Sequence, residues 1–338
     1  MIQCPEISII IPIYNAEEYL EECLKSVQNQ NFEDYEVLMI NDGSSDSSMS
    51  ICQHFQQSDD RFILVNQENS GVCSARNHGL RISRGKYISF VDADDKIDCD
   101  FLSVLIEVLL KTDSDIVMCD FYNENGCECK KPTFQILEGS EIFEAFFRGN
   151  IYNRIMNKLY RKETIGAVYF PEDRVLLEDA FWTSNVLENA HRITIIPEAK
   201  YYYRVISGSL SHRKYNELEK AVMYRNEMER YIVLSRNLTN TLNKQSLIKA
   251  VKEYLDVVFV ASNDLSLMGV HDCMQRLIDC LLFGSVNEEE FTFIRHIKDP
   301  GTLHHKYLMR MLFRVHTPIK LRMIAFYRLL SKGFRRNK

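Results

Sequence analysis

The chain has 338 residues, more than one compact core usually takes, so a large domain with an appended one is the expectation. An apolar share of 46% and a charged share of 26% exclude a disordered chain. A net charge of -6 argues against a dedicated nucleic-acid binder. That charge is uneven: no acidic residue follows Asp299, whereas Lys306, Arg310, Arg314, Lys320, Arg322, Arg328, Lys332, Arg335, Arg336 and Lys338 do. A basic tail on an acidic body predicts a partner for the tail.

The ten cysteines show no framework spacing, and Cys23, Cys52, Cys119 and Cys280 sit inside apolar segments. They read as free, small hydrophobes of a reducing cytoplasm. Cys127 and Cys129 form a close pair without two further ligands, so no zinc site is read. Met1 to Glu6 lacks the basic and apolar regions of a signal peptide, and no stretch reaches the about 20 apolar residues that span a bilayer. The expected location is cytoplasmic.

In chain order, Ile7 to Pro12 is an apolar, β-branched first strand with a turn at Tyr14-Asn15. Tyr19, Leu20, Cys23, Leu24 and Val27 then make one helical stripe, with Glu17 and Glu18 in its first turn. A strand at Glu36–Ile40 ends in Asn41-Asp42-Gly43-Ser44-Ser45-Asp46, which can cap a helix bearing Met49, Cys52 and Phe55. A third strand, Phe62–Val65, leads through Asn69-Ser70-Gly71 to a helix through Ala75, Leu80 and Ile82. The run Tyr87-Ile88-Ser89-Phe90-Val91 follows and passes straight into Asp92, Asp94 and Asp95.

This β-α-β-α-β-α-β order predicts a parallel sheet with helices on both faces. Unpaired buried carboxylates are costly, so the acids must leave the sheet at the strand's carboxyl end, the edge where α/β sheets bind ligands. Hard oxygen ligands there suit Mg²⁺ or Mn²⁺ shared with substrate phosphates. Neither a Gly-x-Gly-x-x-Gly turn nor a Gly-Lys-Ser/Thr loop follows the first strand, so dinucleotide and P-loop chemistry are unsupported.

Further on, the pattern predicts a helix at Phe101–Leu110, a strand at Ile116–Cys119, a hairpin within 122–137 and a helix near Glu141–Arg148. It then predicts a short strand around Val168-Tyr169-Phe170 and a helix headed by Glu178-Asp179 and running to Asn189. A strand at Ile193–Ile196 and the segment Tyr201–Val205 close this region, with Trp182 and Tyr201 to Tyr203 read as core. From Glu217 the pattern is helical only, which places a domain boundary near Tyr215. The last two helices flank Pro318. In the second, Ile319, Met323, Phe326 and Leu330 form a stripe beside basic residues, as suits a helix lying in an anionic membrane interface.

The segments Ile9 to Asn15, Asn41 to Asp46, Asn69-Ser70-Gly71 with Ala75-Arg76-Asn77, and Phe90 to Asp95 together resemble the family 2 glycosyltransferases. The resemblance covers roughly residues 5–215 and implies the family's GT-A nucleotide-binding fold, with a mainly parallel central sheet in residues 1–215 and an all-helical extension in 216–338. It implies an inverting transfer from a nucleoside diphosphate sugar, a UDP-sugar, to a glycan or lipid-linked acceptor of surface polysaccharide synthesis, at the inner membrane face. Pro12, Tyr14 and Asp42 would border the nucleobase with Arg76 nearby, Asp92 would face the ribose or sugar, and Asp94 would bind Mg²⁺ or Mn²⁺. Asp179, after Glu178, looks like the catalytic base, and Lys158 and Arg204 look like residues of the phosphate or acceptor side. Two rivals stand beside this reading: a binding module without turnover, and a nucleotidyltransferase, which would want a glycine-rich basic loop that Pro12 to Glu18 lacks.

Overall fold

The structure is a computed structural model that describes residues 4–124, 126–127, 133–171 and 177–206, and beyond them residues 230, 233, 234 and 237. The chain divides into two units, Met1–Lys214 and Tyr215–Lys338. The four described positions of the second unit are helical; the basic tail and its two expected helices fall outside the described residues.

The first unit begins β1 (Ile7–Ile13), α1 (Leu20–Gln28), β2 (Tyr35–Asp42), α2 (Ser48–Ser58), β3 (Phe62–Gln67), α3 (Val72–Ile82) and β4 (Tyr87–Phe90). β1 pairs in parallel with β2 and β4, and β2 with β3. Every side chain of β2 and β4 is buried, which is why these strands carry apolar runs rather than alternation. In α1 the stripe is Leu20, Cys23, Leu24 and Val27; Tyr19 is the N-cap, and Glu21 and Glu22, not Glu17 and Glu18, occupy the first turn.

There follow β5 (Lys96–Ile97), α4 (Phe101–Thr112), β6 (Ile116–Asn123), β7 (Gly126–Cys127), β8 (Gln135–Glu138), α5 (Ser140–Phe147), β9 (Lys158–Arg161), α6 (Lys162–Ile165), α7 (Glu178–Leu187) and β10 (Arg192–Tyr202). The sheet order is β3-β2-β1-β4-β9-β6-β10-β5. The sheet is mixed rather than mainly parallel. β9 runs antiparallel to both β4 and β6, while β6 and β10 are parallel to each other. Because β9 reverses direction twice over, β4 and β6 point the same way, and the carboxyl ends of β1, β2, β3, β4, β6 and β10 share one rim.

One local expectation is corrected and two are filled in. Val168 to Phe170 is not a strand. Asn77 of α3 bonds both backbone groups of Phe170, donating from Nδ2 to its carbonyl at 2.9 Å and accepting its N–H at 2.8 Å. That side chain takes the place of a strand partner. The expected strand at Ile193–Ile196 is longer than its apolar run: β10 continues to Tyr202, with register shifts either side of Ala199. The expected hairpin within 122–137 is present as β6 with β7, and β8 pairs with β10.

Two packing features aim the rim. A Cβ on Gly79 would lie 2.4 Å from Ile10 Cγ2, so glycine lets α3 sit hard against β1 and carries Arg76 and Asn77, a turn earlier, to the rim. Trp182 of α7 stacks on Phe170 at 4.7 Å and meets Phe90 and Tyr160 edge-on, and its indole N–H donates to the Val168 carbonyl. This aromatic group fixes the head of α7 over β4 and β9.

Candidate active site

The loops after β1 and β2 are knitted together at the rim. Asn15, with φ of 47°, accepts the Ser45 N–H through Oδ1 and donates its own N–H to Ser44 Oγ. Asp46 accepts the Glu17 N–H, and Glu17 in turn accepts that of Ser47. Asp46 also accepts the Ser48 N–H at the start of α2, as the sequence predicts for this turn. Tyr14 stands beside them, 54% exposed, with Pro12 at the end of β1 half-buried behind it.

Asp42, at the end of β2, is buried and takes three donors. Gln67 Nε2 and the Ser70 N–H reach Oδ1, and the Gly71 N–H reaches Oδ2, all within 2.9 Å. The carboxylate thereby folds the loop that leads into α3 and sits at that helix's positive end.

The loop after β4 holds three acids with different fates. Asp95 is buried, accepts the Tyr201 hydroxyl at 2.8 Å and the Arg204 N–H at 2.8 Å, and burial, then Asp92 and Asp94, push its carboxyl well above the usual range. Asp94 is half-buried, and no other residue in the described chain hydrogen-bonds or pairs with its carboxylate. Burial, then the charge of Asp92, raises it to about 6. Asp92 pairs with Arg76 through Oδ1. The Arg204 guanidinium lies over the Tyr19 ring, donates to the Asp94 carbonyl at 2.8 Å and pairs with Glu22 at 2.5 Å, so it ties this loop to α1.

Arg76 is the centre of the site. Its side chain is 5% exposed and lies 5.3 Å over the Phe170 ring. Nη2 donates to Asp92 at 3.1 Å; Nη1 donates to Asp179 at 2.9 Å and to Glu178 at 3.2 Å. The resemblance puts Arg76 near the nucleobase; in the structure its partners are the three acids. Burial alone would lower its pKa, but Asp179, Asp92 and Glu178 outweigh that and raise it. Glu178 and Asp179 open α7, and the N-cap before them, Leu177, is left-handed with φ of 56°. Burial raises the Asp179 carboxyl against the pull of Arg76, and Glu178 and Asp92 add to the rise.

Lys158 starts β9 at the same rim and is 1% exposed. Its ammonium donates to the Arg154 carbonyl and to Asn157 Oδ1, and burial lowers it to about 7. The structure thus gathers Arg76, Asp92, Glu178 and Asp179 into direct contact, with Asp94 on the same loop. It sets Asp42, Pro12 and Tyr14 on neighbouring loops and seats Lys158 within the protein. Gln67, Asn77, Tyr201 and Glu22, which hold these groups, escape sequence reasoning. Of them only Asn77 carried a signal, as the neighbour of Arg76.

Among the described residues no three His, Cys, Asp or Glu side chains form a cage for a metal ion. Asp94 with Asp92 nevertheless fits a hard divalent cation of the kind that takes one or two carboxylates and fills its shell with water and phosphate oxygens. No helix among the described residues is long and apolar enough to cross a membrane.

Residues 8–168 match the family described as Glycosyl transferase family 2. Over that span the chain is similar to the family 2 glycosyltransferases. A Bacillus subtilis (strain 168) relative named as a glycosyltransferase, EpsH, is 29% identical over 267 residues, covering 70% of this chain and 76% of its own length. Glycosyltransferase GlyA of Streptococcus pneumoniae serotype 4 is 31% identical over 220 residues, 61% of this chain but 31% of that longer protein. Other relatives in Bacillus subtilis (strain 168) carry names from teichoic and teichuronic acid biosynthesis. The crystal structure of S. aureus TarS 1-349 in complex with UDP-GlcNAc superposes with a TM-score of 0.62 at 22% identity, covering 98% of this chain and 92% of that one. That similarity is one of fold, an α/β unit on a mixed sheet. The segments named from sequence lie at the strand ends, the loops and the head of α3 along the rim of this chain's sheet.

Proposed function

We propose that this glycosyltransferase moves a sugar from a nucleoside diphosphate sugar, a UDP-sugar, to a hydroxyl of a growing surface glycan, with inversion at the anomeric carbon. The observation that carries this reading is the meeting of Asp92, Glu178 and Asp179 on one guanidinium, beside an Asp94 carboxylate with no partner among the described residues. The UDP-GlcNAc bound by TarS supports the donor class. The names of the teichoic and teichuronic acid relatives support a surface glycan as acceptor.

In this reading Asp179 takes the proton of the incoming hydroxyl. The freed oxygen forms the bond to the anomeric carbon as the carbon–oxygen bond to the diphosphate breaks, and the nucleoside diphosphate leaves with that electron pair. One raised, partly buried carboxyl is suited to the proton transfer. Direct displacement needs that base and no nucleophile, which accounts for inversion. Arg76 holds the base in place, and Asp42 meets the nucleobase as an acceptor. Asp94 with Asp92 would hold Mg²⁺ or Mn²⁺, which supplies Lewis-acid neutralisation of the departing diphosphate. The basic tail after Asp299 supports contact with an anionic membrane that presents a lipid-linked acceptor; truncation there is expected to move the protein from the membrane fraction to the soluble one.

The test is a panel of nucleotide sugars assayed for nucleotide release with Mn²⁺ and with EDTA. A metal-dependent response to UDP-sugars is expected. Asp179→Asn should lose about 10²–10⁴-fold in turnover while keeping affinity for UDP. A parent chain that binds UDP but turns nothing over with any acceptor extract would make it a binding module instead.

A further inference from the structure

Asp42 is held by a residue that is itself held. Gln67 Nε2 donates to Asp42 Oδ1 at 2.8 Å, and Gln67 Oε1 lies 2.8 Å from His78 Nδ1. The direction of this chain follows from chemistry. A carboxylate that accepts two further backbone N–H groups can only accept from Gln67, so the amide nitrogen faces Asp42 and the amide oxygen faces the histidine. An amide oxygen cannot donate, so the His78 Nδ1 carries the hydrogen.

We propose that His78 and Gln67 form a positioning relay for nucleobase recognition, fixing Asp42 as an oriented acceptor. This rests on the reading above that Asp42 meets the base. With two donors on Oδ1 and one on Oδ2, the remaining capacity of Asp42 is on Oδ2, and it is for accepting. Placed against ring position 3, such a group selects uracil, which carries an N–H there, over cytosine, which has a bare ring nitrogen there and its donor on the exocyclic amine beside it. Without Gln67 the carboxylate keeps its two backbone bonds but loses the side-chain contact that stops it turning. The relay ends on α3, two residues from Arg76, so one helix anchors both the base loop and the acid cluster.

The experiment measures binding of UDP and CDP, each with Mn²⁺, to the full chain and to Gln67→Met, His78→Asn and His78→Leu. Gln67→Met keeps the length of the side chain and removes both polar ends; it should weaken UDP about tenfold and CDP less, so that the UDP-to-CDP preference narrows. His78→Leu should shift UDP in the same direction. His78→Asn, whose amide nitrogen can stand where Nδ1 stands, should restore the parent value. Melting temperature without nucleotide reports whether each variant is folded, and Gln67→Met carries the test if His78→Leu is not. A loss of UDP affinity under fivefold in Gln67→Met, or equal losses for UDP and CDP, overturns the relay while leaving the donor reading intact. A parent chain that binds no nucleoside diphosphate overturns both.

Discussion

Arg76 and Asp179 stand 103 positions apart in the sequence and 2.9 Å apart in space, guanidinium nitrogen to carboxylate oxygen. The same guanidinium reaches Glu178 and Asp92, so one buried cation holds three acids that would otherwise repel. Removing it leaves them uncompensated. Arg76→Gln is expected to lower stability by about 3 kcal/mol, the cost of breaking a buried pair from one side. Arg76→Lys should recover less than half, because a single ammonium cannot span the fork's separate contacts. Urea unfolding of the two variants measures both.

Asp94 ties the site to pH. Its carboxyl is raised to about 6 from an ordinary 3.8. The folded state therefore binds more protons than the unfolded one between those values, and the associated stability is present at low pH and lost as pH rises through 6. Asp94→Asn should lack that fall, melting progressively higher relative to the parent from pH 4 to pH 7. Mn²⁺ at pH 7.5 should raise the melting temperature of the parent and leave Asp94→Asn unmoved.

Lys158 has the opposite sign. Burial lowers it to about 7 from 10.5, so the unfolded chain binds more protons between those values and stability rises with pH across that window. Lys158→Met has no such rise. The slope of stability between pH 7 and pH 10 is the readout, since methionine also strands the Arg154 carbonyl and Asn157 Oδ1 that the ammonium satisfies.

Asn77 makes two buried bonds to one residue, and Asn77→Ala should cost about 2 kcal/mol. Because Phe170 stacks on Trp182 of α7 and lies under Arg76, the variant should also lose activity beyond its loss of stability. Turnover measured well below the melting temperature separates the two effects.

The first half of the sheet was legible because β1, β2 and β4 are buried on both faces, and burial writes itself as runs such as Ile9-Ile10-Ile11. β9 escaped because Lys158 and Arg161 bracket only two apolar residues, and a buried lysine contradicts the pattern a strand is read from. Val168 to Phe170 misled for the converse reason: its apolar spacing is that of a strand, but its backbone partner is a side chain of α3. β10 read as ending at Ile196 because Pro197 and Glu198 interrupt the apolar pattern where the register shifts. In the candidate site, the acids announced themselves by standing directly after apolar runs. Their mutual arrangement did not, since nothing in the order of residues shows that the side chain of Arg76 faces the head of α7.

The reversal at β9 bears on how the molecule comes off the ribosome. β1 to β4 and all three crossover helices between them lie within residues 7–90, so this parallel block can close its own ladders as soon as that contiguous stretch has emerged. The partner block needs β6 and β10, from opposite ends of residues 116–202, and cannot zip until late in synthesis. Of the three acids that meet Arg76, only Asp92 lies near the early block, and the completed cluster marks the arrival of α7.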